Sequence, residues 1–481
     1  MCLKNRPVTA DRKDGSRSSN PALVKATKLK TCTITRDIVT KPNSTSLRRK
    51  KEKLFNALYT RKEPVHSDGD IEGQRYFHGL LPRKYIGIRF KNPGDYLVLL
   101  KYKGGEPHYF LELLDADLIV KRITIEKGDN GYYLGINDED VVSLSSIPLL
   151  IKYYHHKQVP GYICLKYPIQ RPNTFYSHSV IKYNRNDDLI EKGTFSSIYK
   201  CTITDGFSKG VVAIIKIPEG GKKETDKDYI KTVKKTAKIT IKEASLMEEI
   251  EDKNILTFYG LCMDKLPVSL LMEYCPMGNL QTHLSKDKEN ISVGELLYYC
   301  YDIAKGMKYL SKCQIVHRNL SVSNVFLSNN GLLKIGSFSK ACKFSCTELL
   351  PFALSLRHQP PEYLLNKNVE VCESYDVWSY GATVIEIFNN GELPLKEVND
   401  EKFTEMMQQN NFFPIPSRCP ETWAFGMKNG VFVTPATSRF SFRHLQELLE
   451  TILRRNDLYP LPKPEASALA KRGIHRTFIC P

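Results

Sequence analysis

Leu296, Cys300, Ile303, Met307 and Leu310 recur at steps of four, three, four and three. That spacing lays them along one face of a helix. A stripe this regular has to be buried against a larger body, so the segment predicts an amphipathic helix inside a globular core. Directly after it comes Ile315-Val316-His317-Arg318-Asn319-Leu320-Ser321-Val322-Ser323-Asn324-Val325-Phe326-Leu327, apolar at both ends and polar between. With 481 residues the chain has room for two or three domains and a substantial core. No apolar run approaches the roughly 18 residues of a membrane span, and Met1-Cys2-Leu3-Lys4 opens neither a signal peptide nor a Met-Gly acylation site. The 13 cysteines are odd in number, scattered and never spaced C-x-x-C. Disulfide scaffolds and zinc sites are therefore not expected, and a reducing, cytoplasmic setting is.

The stretch at 315–327 resembles the catalytic loop of protein kinases, His-Arg-Asp-Leu-x-x-x-Asn, with Asn319 in the place of Asp. Lys334-Ile335-Gly336-Ser337-Phe338-Ser339 stands where the magnesium-binding Asp-Phe-Gly is expected. Other kinase signatures surround these two in order. Val211 to Lys216 resembles the strand that ends in the nucleotide-binding Lys, and Lys242-Glu243-Ala244-Ser245-Leu246-Met247 the helix whose Glu pairs with it. Leu271-Met272-Glu273-Tyr274-Cys275 resembles the hinge, with Met272 as gatekeeper. Pro360-Pro361-Glu362 and Asp376-Val377-Trp378-Ser379-Tyr380-Gly381 follow, and Arg439 is the expected ion-pair partner of Glu362. The resemblance implies a bilobal protein-kinase fold over 183–456, with Gly193, Lys216, Glu243, Met272, Glu273 and Cys275 as the nucleotide site. It likewise makes His317, Arg318 and Asn319 the catalytic positions, and Asn324 and Ser337 the metal positions.

The departures concentrate on chemistry. Asn319 cannot accept a proton near neutral pH, and Ser337 takes a carboxylate away from Mg²⁺, a hard cation that favours charged oxygens. Of the three expected glycines in Glu191-Lys192-Gly193-Thr194-Phe195-Ser196, Gly193 alone is kept. Residues 337–359 contain no Tyr for activating phosphorylation, and Arg357-His358-Gln359 lacks the Trp of the peptide-docking strip. Binding of ATP and of Mg²⁺ is therefore expected to be weak or absent.

Upstream, Tyr76-Phe77-His78-Gly79-Leu80-Leu81-Pro82-Arg83, Asn92 to Leu99, Gly131-Tyr132-Tyr133-Leu134 and Ile147 to Tyr154 resemble an SH2 domain over 76–168. The wording is closest to the Fps/Fes/Fer family of non-receptor tyrosine kinases. The resemblance implies an antiparallel sheet flanked by two helices, and an α+β class for the chain as a whole. It also places Leu99 where SH2 domains carry the Arg that forks onto phosphate. Strand alternation puts Lys101 on the face of Leu99, and the family pattern brings Arg83 and Arg122 to the same pocket. Phosphotyrosine peptides are expected to be weak partners at best.

Residues 1–66 hold 17 Lys and Arg against 5 Asp and Glu, a net +12 of the chain's +17. With no hydrophobic period, residues 1–70 read as a basic disordered tail. Residues 169–182 read as a linker and 457–481 as a C-terminal tail. Three functions follow as expectations. The first is a catalytically inactive pseudokinase that acts as scaffold or allosteric partner of signalling proteins, an active tyrosine kinase among them. The second is a divergent active tyrosine kinase. The third is an adaptor whose tail at 1–66 meets an anionic membrane or nucleic acid, a peripheral membrane location in the former case.

Overall fold

The computed structural model describes residues 70–82, 89–136, 141–193, 196–206, 208–218, 227–345, 355–365 and 371–481. The basic segment and Arg83 lie outside them. The first element is a meander of β1 (Asp95–Lys103), β2 (Glu106–Leu114), β3 (Val120–Gly128) and β4 (Gly131–Leu134), with β5 (Tyr167–Pro168) added parallel to β1. Tyr96, Val98 and Leu100 point to one face of β1 and Leu97 and Leu99 to the other, by the two-residue period of a strand. Both sets are buried. The first packs with Ile147, Leu150, Ile151 and Tyr154 of helix α1 (Ile147–His156), whose start is capped by the Ser146 hydroxyl. The second joins the core that includes Met263 and Val268 of the next lobe.

Backbone and side chain bind the meander to that lobe. Leu80 N–H donates to the Met263 carbonyl at 2.9 Å, and Lys234 Nζ donates to the Tyr102 carbonyl at 2.7 Å. Gly79 makes the approach possible: its φ is +54°, and a Cβ there would lie 2.1 Å from the Met263 oxygen.

The second sheet contains β6 (Phe175–Tyr176), β7 (Ile181–Lys182), β8 (Leu189–Lys192), β9 (Ser196–Ile203), β10 (Val212–Pro218), β11 (Phe258–Cys262) and β12 (Ser269–Glu273). Its order is β6-β11-β12-β10-β9-β7, with β8 on β9. The segment read as a linker, 169–182, thus contributes β6 and β7 to this sheet. It is pinned by buried Asp264, which accepts from Ser177 Oγ and from the backbone N–H of His178. Helix α2 (Lys227–Met247) lays Val233, Ala237, Ile241 and Ala244 inward at helical spacing.

A helical lobe follows: α3 (Leu280–Asp287), α4 (Val293–Lys312), α5 (Glu373–Phe388), α6 (Asp400–Gln408), α7 (Glu421–Gly430) and α8 (Phe442–Leu453). The stripe from Leu296 to Leu310 lies on α4, whose first turn is capped by Ser292, and all five of its residues are buried. The segment read as a tail, 457–481, packs back on this lobe. Ala468, Leu469 and Ile474 are buried in the main core. Arg476 reaches Asp302 of α4 at 2.6 Å, and Arg472 donates to the Met277 carbonyl at 3.3 Å. No helix among the described residues is long and apolar enough to cross a membrane.

Candidate functional site

Strand pairing fixes the roof of the cleft between the two lobes. Lys216 lies opposite Ile198 and Leu270 on β10, and its ammonium is 3.1 Å from Oε2 of buried Glu243 on α2. The pair expected from sequence is thus assembled. Gly193 N–H donates to the Ser196 carbonyl at 2.9 Å, and Glu191 is exposed opposite Ile198. Met272 is buried opposite Ile214. The Glu273 carboxylate is taken by Thr257 Oγ1 at 2.6 Å and Lys334 Nζ at 2.8 Å, so it is bound within the protein. Burial pushes the Cys275 thiol up to about 12.

The floor is held from below by buried Asp376 of α5, which accepts the backbone N–H groups of His317 at 2.6 Å and Arg318 at 2.9 Å. Burial raises that carboxyl to about 7. His317 Nε2 donates to the Gly336 carbonyl at 2.9 Å, and its ring meets Phe338 edge-on at 5.0 Å. Burial lowers this imidazole to about 4 and keeps it neutral. Ser337 sits at φ +65°, ψ +60°, left-handed backbone that an L residue adopts at a cost.

Asn319 and Asn324 fold onto each other: Asn324 Nδ2 donates to the Asn319 carbonyl at 2.7 Å and to Ser321 Oγ at 3.2 Å. The side-chain oxygen of Asn319 accepts from Lys340 Nζ at 3.1 Å. Arg318 Nε donates to the Lys340 carbonyl at 2.7 Å, which fixes the backbone that carries this lysine. Partial burial pulls the Lys340 ammonium below its usual range. Sequence reasoning missed Lys340; the available signal was a basic residue directly after Ser337-Phe338-Ser339.

The positions that the kinase resemblance gives to Mg²⁺ carry no carboxylate here. The oxygens at the metal positions are a hydroxyl, Ser337, and an amide, Asn324, and an ammonium already occupies Asn319. A hard dication favours charged oxygens. Among the described residues no group of three or more His, Cys, Asp or Glu is arranged to hold a metal.

The supporting pairs are in place. Arg439 forks onto Glu362 at 2.6 and 2.8 Å and lies over the Trp378 ring at 4.9 Å. Where the docking-strip Trp is missing, Arg357 is buried, paired with Asp400 at 2.8 Å and stacked on Phe403. That position has become part of the core.

In the first sheet, Leu99 is 1% exposed and lies opposite Phe110. The Lys101 ammonium and the Arg122 guanidinium both approach the Phe110 ring, at 5.4 and 5.6 Å. Arg122 also forks onto buried Glu112, with Nε 2.8 Å from Oε1. The structure thus brings Leu99, Lys101 and Arg122 together and adds an acid that the sequence reading did not identify. Its burial follows from the strand register, which sets it opposite Leu97.

A family described as protein tyrosine and serine/threonine kinase matches residues 185–449. The human tyrosine-protein kinase Fer is 27% identical over 400 residues, covering 81% of this chain and 45% of Fer. The Fer-related kinase 1 of Caenorhabditis elegans is 25% identical over 342 residues, covering 68% of this chain and 80% of that protein. The spermatocyte protein spe-8 of Caenorhabditis briggsae is 23% identical over 365 residues, covering 74% and 66%. The chain spans less than half the length of the Fer proteins it matches.

Proposed function

The chain belongs to the protein tyrosine and serine/threonine kinase family, and we propose that within it this protein is a Fer-like pseudokinase: a non-catalytic signalling module. One observation carries the reading. The cleft keeps its assembled form, with Lys216 on Glu243 and His317 on Phe338, while the proton-accepting position holds an amide that is bonded to an ammonium. Phosphoryl transfer depends on positioned charge and on metal ions that neutralise the phosphates. Here the positioning remains and the carboxylates are gone. A fold kept in this form supports a role as scaffold or allosteric partner, with an active tyrosine kinase as the partner class. The test is phosphate transfer from ATP to a Tyr-rich polymer with Mg²⁺ or Mn²⁺. A signal that Lys216→Met abolishes would end this reading in favour of a divergent active kinase.

The N-terminal sheet unit fits, in this reading, an SH2 domain that has given up phosphate capture. An Arg fork supplies the strong, charge-assisted contact to phosphate. Leu99 offers no donor, and the Glu112 carboxylate repels a doubly charged phosphate while holding Arg122. Phosphotyrosine peptides should bind the protein within about twofold of their unphosphorylated forms, measured by fluorescence anisotropy. Leu99→Arg alone should gain little, because Glu112 is a diagonal cross-strand neighbour within reach of a long side chain. Adding Glu112→Ser should free both guanidinium groups and tighten phosphopeptide binding at least tenfold over the single variant, with thermal melts to check folding. Tight phosphopeptide binding by the unmodified protein, lost in Arg122→Ala, would mean a rebuilt and working pocket. Contact of residues 1–66 with anionic membranes is a further proposal, on residues outside those described.

A further inference from the structure

The helical lobe encloses a cavity of about 500 Å³ whose wall contains none of the nucleotide, catalytic or metal positions. Phe344, Tyr363, Val371, Tyr375 and Phe440 make that wall largely aromatic and apolar. Its size and lining are those of small-molecule sites, which run to about 300–1,000 Å³. Tyr363 and Tyr375 are 7% and 4% exposed, with their rings edge to face at 5.2 Å. Among the described residues neither hydroxyl has a hydrogen-bond partner. Arg439 belongs to the same wall; its terminal nitrogens hold Glu362, but its buried Nε–H has no partner. Buried polar groups are as a rule paired, so three donors left over around one cavity point to a ligand.

We propose that this cavity binds a small, neutral aromatic molecule bearing a carbonyl, with its ring among the four aromatic side chains and its carbonyl on the Tyr363 and Tyr375 hydroxyls. An acceptor is called for because the groups left over donate. An Arg Nε–H can do nothing else. Burial, and then the Asp376 carboxylate, hold the Tyr375 phenol well above its usual range, so it keeps its proton. Neutrality follows from the charges in the wall. Arg439 is taken by Glu362, and Glu373 adds a second carboxylate, so an anion is repelled. A cation would gain from the rings and from Glu373, yet it would leave the donors unmet. The site goes beyond the non-catalytic reading and stands whether or not the cleft turns over ATP.

Cys372 is an exposed residue of the wall and makes a local reporter, whereas Cys480, also exposed, lies outside it. The test follows alkylation of both thiols by iodoacetamide in the full chain, by peptide mass mapping, with millimolar benzamide, benzoate or benzylammonium present. The three probes share one ring and differ in charge. Benzamide should slow Cys372 at least threefold and leave Cys480 unchanged, while the two ions protect neither. Tyr363→Phe/Tyr375→Phe keeps both rings and removes both hydroxyls; it should melt no lower than the unmodified protein and lose the protection. Thr437→Trp, at an exposed wall position, should fill the space and likewise remove the effect of benzamide. No protection by benzamide, equal protection by either ion, or protection kept in either variant would each overturn the proposal. N-acetylphenylalaninamide protecting at a tenfold lower concentration than benzamide would overturn its small-molecule part and assign the cavity to the peptide chain of a partner.

Discussion

An Asn319→Asp variant should transfer no more phosphate than Lys216→Met, and adding Ser337→Asp should not change that until Lys340 is replaced as well. Loss of a general base costs about 10²–10⁴ in rate. Loss of a preorganised charge-stabilising group costs about 10²–10³ more. The unmodified protein should therefore lie at background. Putting a carboxylate back at 319 places it on the Lys340 ammonium, which now stands 3.1 Å from the side-chain oxygen there. An opposite charge that close lowers a carboxyl pKa by about 1–3 units, and the ion pair blocks approach of a substrate hydroxyl. Asn319→Asp/Ser337→Asp/Lys340→Leu removes the block and restores the metal ligand. It should rise at least tenfold above the Lys216→Met control in a Tyr-polymer assay with Mg²⁺. Activity in Asn319→Asp alone would contradict the placement of Lys340. A triple variant still at background would put the remaining defect in the Glu191–Ser196 loop.

Local pattern in the sequence carries much of this. The period from Leu296 to Leu310 announces α4, and the β-branched run ending in Lys216 announces β10. Glu243 and Lys216 are 27 residues apart, yet ordered motifs suffice to pair them. What the sequence hid are contacts between side chains that no period links. Lys340 reads as one more surface lysine until the chain turns it back onto Asn319, 21 residues earlier. Glu112 reads as a solvated strand residue, although its partner Leu97 on the core-facing side requires it to be buried. Residues 457–481 are rich in Pro, Lys and Arg, the composition of a loose tail. Their anchors lie on helices far back in the chain, which composition cannot reveal.

The strongest of those anchors is Arg476, and its loss should destabilise the protein by about 3 kcal/mol. Asp302 is fully buried on α4, and Arg476, 174 residues later, supplies its charge partner at 2.6 Å. The same guanidinium donates to the Gly331 carbonyl at 2.9 Å and lies over the rings of Tyr298 and Phe478. Removing one partner of a buried ion pair costs about 3–5 kcal/mol, mainly because the other charge is left uncompensated. The lower end applies, since Lys305 Nζ remains 2.8 Å from the second Asp302 oxygen. Arg476→Met should therefore lower the midpoint in urea clearly without changing the slope, as a pure loss of stability does. Arg476→Lys should recover only part, because an ammonium cannot fork onto Asp302 and Gly331 while lying flat on two rings. The discriminating variant is Asp302→Asn/Arg476→Met. Asn can still accept the Leu333 N–H, which lies 3.4 Å from Asp302, and it leaves no buried charge behind. If uncompensated charge is the main cost, this double variant should be more stable than Arg476→Met alone. If packing of the C-terminal segment on Tyr298 is the main cost, the double variant will be no better than the single, and Phe478→Ala will match it.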